Sequence, residues 1–298
     1  MNEFEPILRL AADQGLQLFK DMRVNDMGLD FKIIFATDLN QRPWVLRVPR
    51  RPGMDKQIEK EKKILTLLKS QLDIQVPDWQ IANASLIAYP LLQDPPVLSY
   101  DSETYEVSWN MDPSNPSYEQ SLAQTMVKLH QISAHLAREI GLEVLDSQQA
   151  RLWMLDKLKT VESALPVPSS LLQRWYRWID QTDLWPQQTG FIHGDLFAGH
   201  IMSPHTGPIS GMIDWSEAQY NDTSIDFAGH LLVFGEDSLR RLLDAYGSAG
   251  GYVWPMILEQ IKERAAASSL NYAYFALEQG DEKLVEAARL QMETAASS

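Results

Sequence analysis

The stretch FIHGDLFAGHIMSPHTGPISGMIDW, Phe191 to Trp215, sets His193, Asp195, His200 and Asp214 among short apolar runs. Carboxylates brought together in an apolar setting repel each other and lose hydration, and an uncompensated buried charge costs several kcal/mol. A divalent cation reverses the sign of that interaction. Three chemistries could use such a set. Nucleophilic catalysis finds little support, because the chain has no cysteine and no G-x-S-x-G turn. A zinc hydrolase could draw ligands from His193, Asp195 and His200, but no H-E-x-x-H helix is present to organise them. Phosphoryl transfer to an alcohol needs one carboxylate for the attacking hydroxyl. A neutral donor five residues later and a second carboxylate further on then hold the metal ions. Asp195, His200 and Asp214 follow that order.

The elements around these residues must bring them together. HTGPISG separates HIMS from ISGMIDW, so the pattern predicts a two-strand hairpin with Asp195 before its first strand and Asp214 at the end of its second. The outer ends of a hairpin return to one another, which lets Asp195, His200 and Asp214 converge. Upstream, EPILRLAADQGLQLF predicts a short amphipathic helix. FKIIFATD and PWVLRV, split by the turn-like LNQR, predict an antiparallel pair. MDKQIEKEKKILTLLKSQL predicts a helix with Ile58, Leu65, Leu68 and Leu72 on one stripe. SLIAYPLL reads as a buried strand, QDPPVL as a stiff linker, and TYEVSWN as a hairpin strand. Beyond it, YEQSLAQTMVKLHQIS and SSLLQRWYRWIDQ read as helices, the hairpin interrupts them, and helices resume from Ser238. Strands with one helix, a linker, then mostly helix define an α+β, bilobal chain. The expected division is a β-rich lobe over 1–92, a linker over 93–100 and a larger, mostly helical lobe over 101–298.

Composition narrows the partners. The 298 residues are 45% hydrophobic, enough for a sizeable core. A formal net charge of −14 argues against a nucleic-acid binder and leans toward a cationic small ligand. Nothing implies a protein partner. MNEFEPILRLAADQG lacks the pattern of a secretory signal, and no apolar run approaches the ~18 residues of a membrane span. A soluble cytoplasmic protein without membrane contact is expected.

HGDLFAGH followed by MIDW resembles the catalytic loop and metal-binding segment of the aminoglycoside and macrolide phosphotransferases, most of all the macrolide 2'-phosphotransferases. The resemblance runs along nearly the whole chain through NDMGLDFKIIFA, WVLRVPRRPGM, LIAYPLL, DFAGH, FGEDSL and FALEQGDE. It implies a bilobal protein-kinase-like fold, with Mg2+ and GTP or ATP as phosphoryl donor. It makes Asp195 the catalytic base, and His200 and Asp214 the metal ligands, His200 standing where related kinases have asparagine. Asp226 would brace the catalytic loop and His193 would support it. In the first lobe, NDMGLDF replaces the usual glycine-rich loop and offers only Gly28. Arg47 stands where kinases carry a lysine, with Glu61 as its ion-pair partner. Main-chain groups of Pro90, Leu91 and Leu92 would meet the purine base, and Pro90 has no N–H to give.

The implied acceptor is a macrolide antibiotic, with a protonated dimethylamino group beside the reacting 2'-hydroxyl and a large apolar ring. Its pocket would need acidic groups, from among Glu217, Asp222 and Glu278, and aromatic walls, from among Trp254, Tyr272, Tyr274 and Phe275, with Glu217 and Tyr272 foremost. The sequence leaves two alternatives open: a kinase for an aminoglycoside or other small amino alcohol, and a nucleotide-binding pseudoenzyme.

Overall fold

The computed structural model describes residues 4–25, 30–101, 104 and 106–297, so Gly28 lies outside the described residues. These fall into two compact units, Met1–Tyr118 with Gly199–Ala218, and Glu119–Ala198 with Gln219–Ser298. This division differs from the lobes read from the sequence, because residues 101–118 and the hairpin cluster with the first sheet.

The first unit opens with α1 (Glu5–Asp13), β1 (Arg23–Asn25), β2 (Phe31–Thr37) and β3 (Pro43–Pro49). Next come α2 (Asp55–Gln71), β4 (Ile81–Ala82), β5 (Ile87–Pro90), β6 (Leu98–Tyr100) and β7 (Val107–Trp109). Five strands form one antiparallel sheet in the order β1-β2-β3-β5-β4. Side chains alternate across it with period two. Ile34, Trp44, Leu46 and Ala88 pack on one face with Ala11 of α1. Phe31, Val45, Ile87 and Tyr89 pack on the other with Met54 and Ile58. Arg47 follows Val45 by two residues, so it turns toward the face that α2 covers. The buried stripe of α2 is Ile58, Glu61, Ile64, Leu65 and Leu68, which places one carboxylate in an otherwise apolar seam.

In the second unit, α3 (Pro116–His130), which starts at its boundary, leads to α4 (Ala134–Glu139), α5 (Ser147–Ala164), α6 (Ser169–Asp180) and β8 (Gly190–Ile192). The expected hairpin follows as two-residue strands, β9 (Ile201–Met202) and β10 (Gly211–Met212), and belongs to the first unit. It is stitched there on both sides. Val97 N–H donates to Ile201 O at 2.8 Å and Ser203 N–H to Pro95 O at 3.1 Å, while Met212 N–H donates to Gln75 O at 2.9 Å. Residues 93–100, read as a linker, are thus part of a bonded framework.

The chain returns to the second unit with β11 (Gln219–Asn221), antiparallel to β8, then α7 (Ile225–Ser248), α8 (Ile257–Ala266), α9 (Ser268–Gln279) and α10 (Glu282–Ser297). Helices therefore resume at Ile225, not Ser238. The sequence hides this because α7 is broken at Gly235, whose φ 80 and ψ 177 are open to glycine alone. Trp175, Trp178, Leu158, Leu270 and Met292 head the core that α5, α6, α9 and α10 enclose. Among the described residues no helix is long and apolar enough to cross a membrane.

Two polar networks are buried in this unit. Asp222 accepts from Arg264 at 2.7 Å and from Gln260 at 2.8 Å, and Trp178 Nε1–H donates to Gln260 at 2.8 Å. The Arg264 guanidinium lies over the stacked rings of Trp178 and Trp185. Asp222 is fully buried, so it cannot serve as an acidic wall for an acceptor, and Trp254 is core, its indole bonded to Leu184 O. In the second network Glu119 accepts from Ser238 and Arg241, and His230 meets Ser238. Burial pushes the His230 imidazole down to about 4, with Arg241 helping and Glu119 opposing.

Asp222→Ala strands the Arg264 charge, so stability in urea is expected to fall by about 3–5 kcal/mol. A loss below about 1 kcal/mol would show that water reaches Arg264. For His230 the folded pKa lies below the unfolded one, so its stabilisation is complete above about pH 6.5 and is lost as pH falls toward about 4. His230→Gln is expected to remove a pH-dependent contribution of order 3 kcal/mol across that window, read as the difference between two urea-stability profiles.

Candidate active site

Four of the expected residues meet in the first unit. Arg47 Nη1 donates to Glu61 Oε1 at 2.8 Å, and both side chains are more than nine-tenths buried. The guanidinium lies 4.4 Å from the Phe31 ring centroid and 5.7 Å from that of Trp79. Its second amino group is 4.0 Å from Asp214 Oδ1, and Asp214 Oδ2 is 3.8 Å from His200 Nε2. Burial works against the Arg47 charge, but Glu61 and Asp214 outweigh it and hold the guanidinium more firmly protonated than usual. Burial raises the Glu61 carboxyl against the pull of Arg47. Arg47 Nε and Glu61 Oε2 are buried without a hydrogen-bond partner among the described residues. Buried polar groups left this way are uncommon and mark a place where a ligand can complete the bonding.

Asp214 sits at φ 62, in the left-handed region. That conformation costs a non-glycine residue about 1–2 kcal/mol and turns its carboxylate out of the strand it follows. Ser216 Oγ holds Oδ1 at 3.1 Å. The Asp214 side chain is 43% exposed, so this carboxylate is presented rather than sealed. Glu217 is exposed nearby in the chain. Pro90 closes β5 opposite Trp44, and Leu91 N–H donates to Pro43 O at 3.0 Å. The Leu91 amide is therefore taken, and Leu92 is half-buried against the sheet.

In the second unit, Asp226 accepts from two consecutive loop amides, His193 N–H at 2.8 Å and Gly194 N–H at 2.9 Å. Gly194 turns there with φ 88. His193 is fully buried and its Nδ1 accepts from Asp195 N–H at 3.3 Å, while Asp195 itself is exposed. Behind Asp226 stand His130, with Nε2 at 3.2 Å, and Tyr246, whose hydroxyl meets His130 Nδ1 at 2.8 Å. Gly229 of α7 lies flat on this loop, since a Cβ there would come within 2.3 Å of Leu196 O and 2.8 Å of Phe197 Cβ. Tyr272 is half-buried on α9 against the core of this unit, as is Tyr274. The sequence reading passed over Phe31, Trp79, His130 and Tyr246, because each reads as an ordinary apolar or helical position until its neighbours are known.

The chemistry implied for such residues includes a divalent cation. His200 and Asp214 supply one nitrogen and one oxygen, 3.8 Å apart, where neighbouring ligands of an octahedral ion stand about 3 Å apart. Among the described residues no group of three or more His, Asp or Glu side chains forms a complete cage. The pair therefore fits an ion that keeps most of its coordination for phosphate and water, with nitrogen the less usual donor for Mg2+.

An antiparallel sheet carrying a buried basic–acidic pair, and a helical unit whose buried aspartate grips a His-Gly-Asp loop, are parts of a protein-kinase-like phosphotransferase. The chain belongs to the phosphotransferase enzyme family, whose profile matches residues 21–259. Among solved structures it is similar to macrolide 2'-phosphotransferase type I, with a TM-score of 0.92 and 39% identity over 97% of this chain and 96% of that one. It is also similar to macrolide 2'-phosphotransferase MphH from Brachybacterium faecium, with a TM-score of 0.87 and 32% identity over 97% of each chain. A curated relative, the uncharacterized protein YcbJ of Bacillus subtilis (strain 168), is 36% identical over 285 residues, 95% of this chain and 93% of its own length.

Gly229→Ala is expected to destabilise the fold by about 1–3 kcal/mol, because the main-chain oxygen it meets has no rotamer to yield. Thermal unfolding measures this. An unchanged melting temperature would mean that α7 and the loop are not in fixed contact.

Proposed function

We propose that this chain is an antibiotic-inactivating kinase that transfers the γ-phosphoryl group of GTP or ATP to the 2'-hydroxyl of the amino sugar of macrolides. The observation that carries this reading is the similarity over almost the full length, at 39% identity, to a macrolide 2'-phosphotransferase. In this reading Asp195 accepts a hydrogen bond from the acceptor hydroxyl and aims its oxygen at the terminal phosphorus. The P–O bond to the nucleotide breaks as the new P–O bond forms, and the hydroxyl proton passes to Asp195 or to solvent. His200 and Asp214 would hold Mg2+, which when bound neutralises phosphate charge. Arg47, oriented by Glu61, would give its remaining donors to phosphate oxygens, which accounts for the unpartnered Nε. Gly28 is assigned to the same phosphates. The base would take its hydrogen bonds from the 90–92 main chain, with Leu92 the donor because the Leu91 amide is occupied.

The acceptor's character is supported by α7. Leu231, Leu232, Val233 and Phe234 are four consecutive apolar residues, none fully buried, and Leu232 is 64% exposed. They follow Gly229, which rests on the loop that carries Asp195. Such a run on a soluble surface suits a large apolar ligand better than a polycationic sugar. Tyr272 would add a ring face, and Glu217 would meet the protonated dimethylamino group. Phosphorylation adds nearly two negative charges beside that amine and would spoil the drug's fit to its target. Cells keep these nucleotides in the cytoplasm, where the enzyme would act.

The test is phosphate transfer from GTP and from ATP to erythromycin and to kanamycin, with and without Mg2+. Metal-dependent transfer to erythromycin is expected, and Asp195→Ala should lower kcat by about 10³-fold or more while nucleotide affinity stays near wild type. Transfer to kanamycin alone would replace the acceptor class. Nucleotide binding without transfer to any amino alcohol would make the chain a binding module.

A further inference from the structure

The first half of α7 carries both Asp226, which holds the loop amides, and the apolar run Leu231–Phe234. The helical course of α7 is interrupted after that half, at Gly235, whose φ 80 and ψ 177 are non-helical. An intact helix ties each residue to the one four places on. Where the helical dihedrals are interrupted, helix geometry alone does not set the angle between the two halves, and side-chain contacts across the break help to set it.

A buried relay spans the break. On the near side, His230 stacks on Phe234, with ring centroids 4.5 Å apart and planes 22° apart. Its Nε2 meets Ser238 Oγ, on the far side, at 2.8 Å. Ser238 Oγ–H donates to Glu119 Oε1 at 2.6 Å. The same carboxylate accepts from Arg241 Nε at 2.9 Å and Nη2 at 2.7 Å. The Ser238 proton is given to the carboxylate, so Ser238 can only accept from His230, and the imidazole proton must sit on Nε2. His230, Ser238 and Glu119 are each less than one-tenth exposed. Glu119 stands in the first turn of α3. Glu119 thus anchors the far half of α7 through Ser238 and Arg241, and Ser238 passes the tie across the break to His230 on the near half.

We propose that Glu119 and Ser238 are positioning residues for the acceptor: they clamp α7 across its break and so fix where Leu231–Phe234 stand relative to the Asp195 loop. The role rests on the reading of that run as the acceptor's apolar wall. The relay reaches that wall directly, since His230 precedes Leu231 and its ring stacks on Phe234. It reaches the loop through Gly229, the residue before His230, which lies against Leu196 O. None of the four relay residues touches phosphate chemistry in the proposed reaction, so the effect should fall on the acceptor side.

Three measurements on Ser238→Ala test this, with Ser238→Thr as the variant that keeps the hydroxyl. Acceptor KM is expected to rise about tenfold, with nucleotide KM within about twofold of wild type, and threonine should restore it. Amide hydrogen exchange over 231–234 should quicken about tenfold in Ser238→Ala, while 239–246 stays unchanged. The 15N shifts of His230 should report a proton on Nε2 in wild type and its loss of fixity in the alanine variant. Exchange that is unchanged, or equally faster along all of α7, overturns the clamp. Both KM values moving together overturns the acceptor-side role. Faster exchange confined to 231–234, in a protein that transfers nothing to macrolides, supports the clamp and sinks the function it was read to serve.

Discussion

One buried carboxylate, Asp226, accepts hydrogen bonds from two consecutive main-chain amides, those of His193 and Gly194. Bonds to an ionised acceptor contribute roughly 1.5–3 kcal/mol each, and without this partner both amides would be left unsatisfied inside the fold. The loop shape that leaves Asp195 exposed while His193 is sealed follows from that grip. Its requirements spread outward. Asp226 must lie at the start of a helix that can approach the loop closely, which Gly229 permits. Its own position is held by His130, and His130 by Tyr246. α3, the loop and both ends of α7 are thereby joined through one carboxylate and one imidazole, with the β8–β11 pairing bringing the chain back to the right place.

The first unit depends on a comparable device of opposite sign. Arg47 is buried beside Glu61, with its guanidinium over the Phe31 ring and near that of Trp79. A pair of this kind adds little net stability, since desolvation offsets most of the attraction. What it supplies is direction. A guanidinium is a planar fork, so once one amino group is committed to Glu61 and the group is packed against aromatic rings, the remaining donors point along fixed lines. A lysine at the same place would bring charge without that plane. Asp214 completes the set at the cost of a left-handed backbone, strain of the sort that folds retain where a side chain must be presented.

How much of this was legible in the sequence follows from the range of each interaction. The antiparallel pair around Arg47 was legible, because FKIIFATD and PWVLRV declare themselves by local composition. α2 was legible from its stripe, but Glu61 was singled out by the family resemblance alone, since the pattern of IEKEKK reads as water-facing charge. The hairpin was legible from its turn, although its strands are only two residues long. The pairing of β8 with β11 was not, since three-residue strands separated by the hairpin leave no periodic trace. The start of α7 was masked by the glycine and aspartate of IDFAGH and by the break at Gly235. Asp222 looked like an available acid and Trp254 like an available ring, and both are core. Exposure is a property of the packed whole, and a single sequence does not carry it. His130 and Ser238 acquire meaning only from Tyr246 and Glu119, more than a hundred positions away along the chain.

A terminal phosphate carried to one defined sugar oxygen is the claim on which the functional account stands. Its most direct measurement is phosphorus–proton correlation NMR on the product formed from erythromycin and GTP. The account predicts a new phosphomonoester signal coupled to the proton on C2' of the amino sugar. A correlation to any other proton, or free phosphate as the sole phosphorus product, would contradict it.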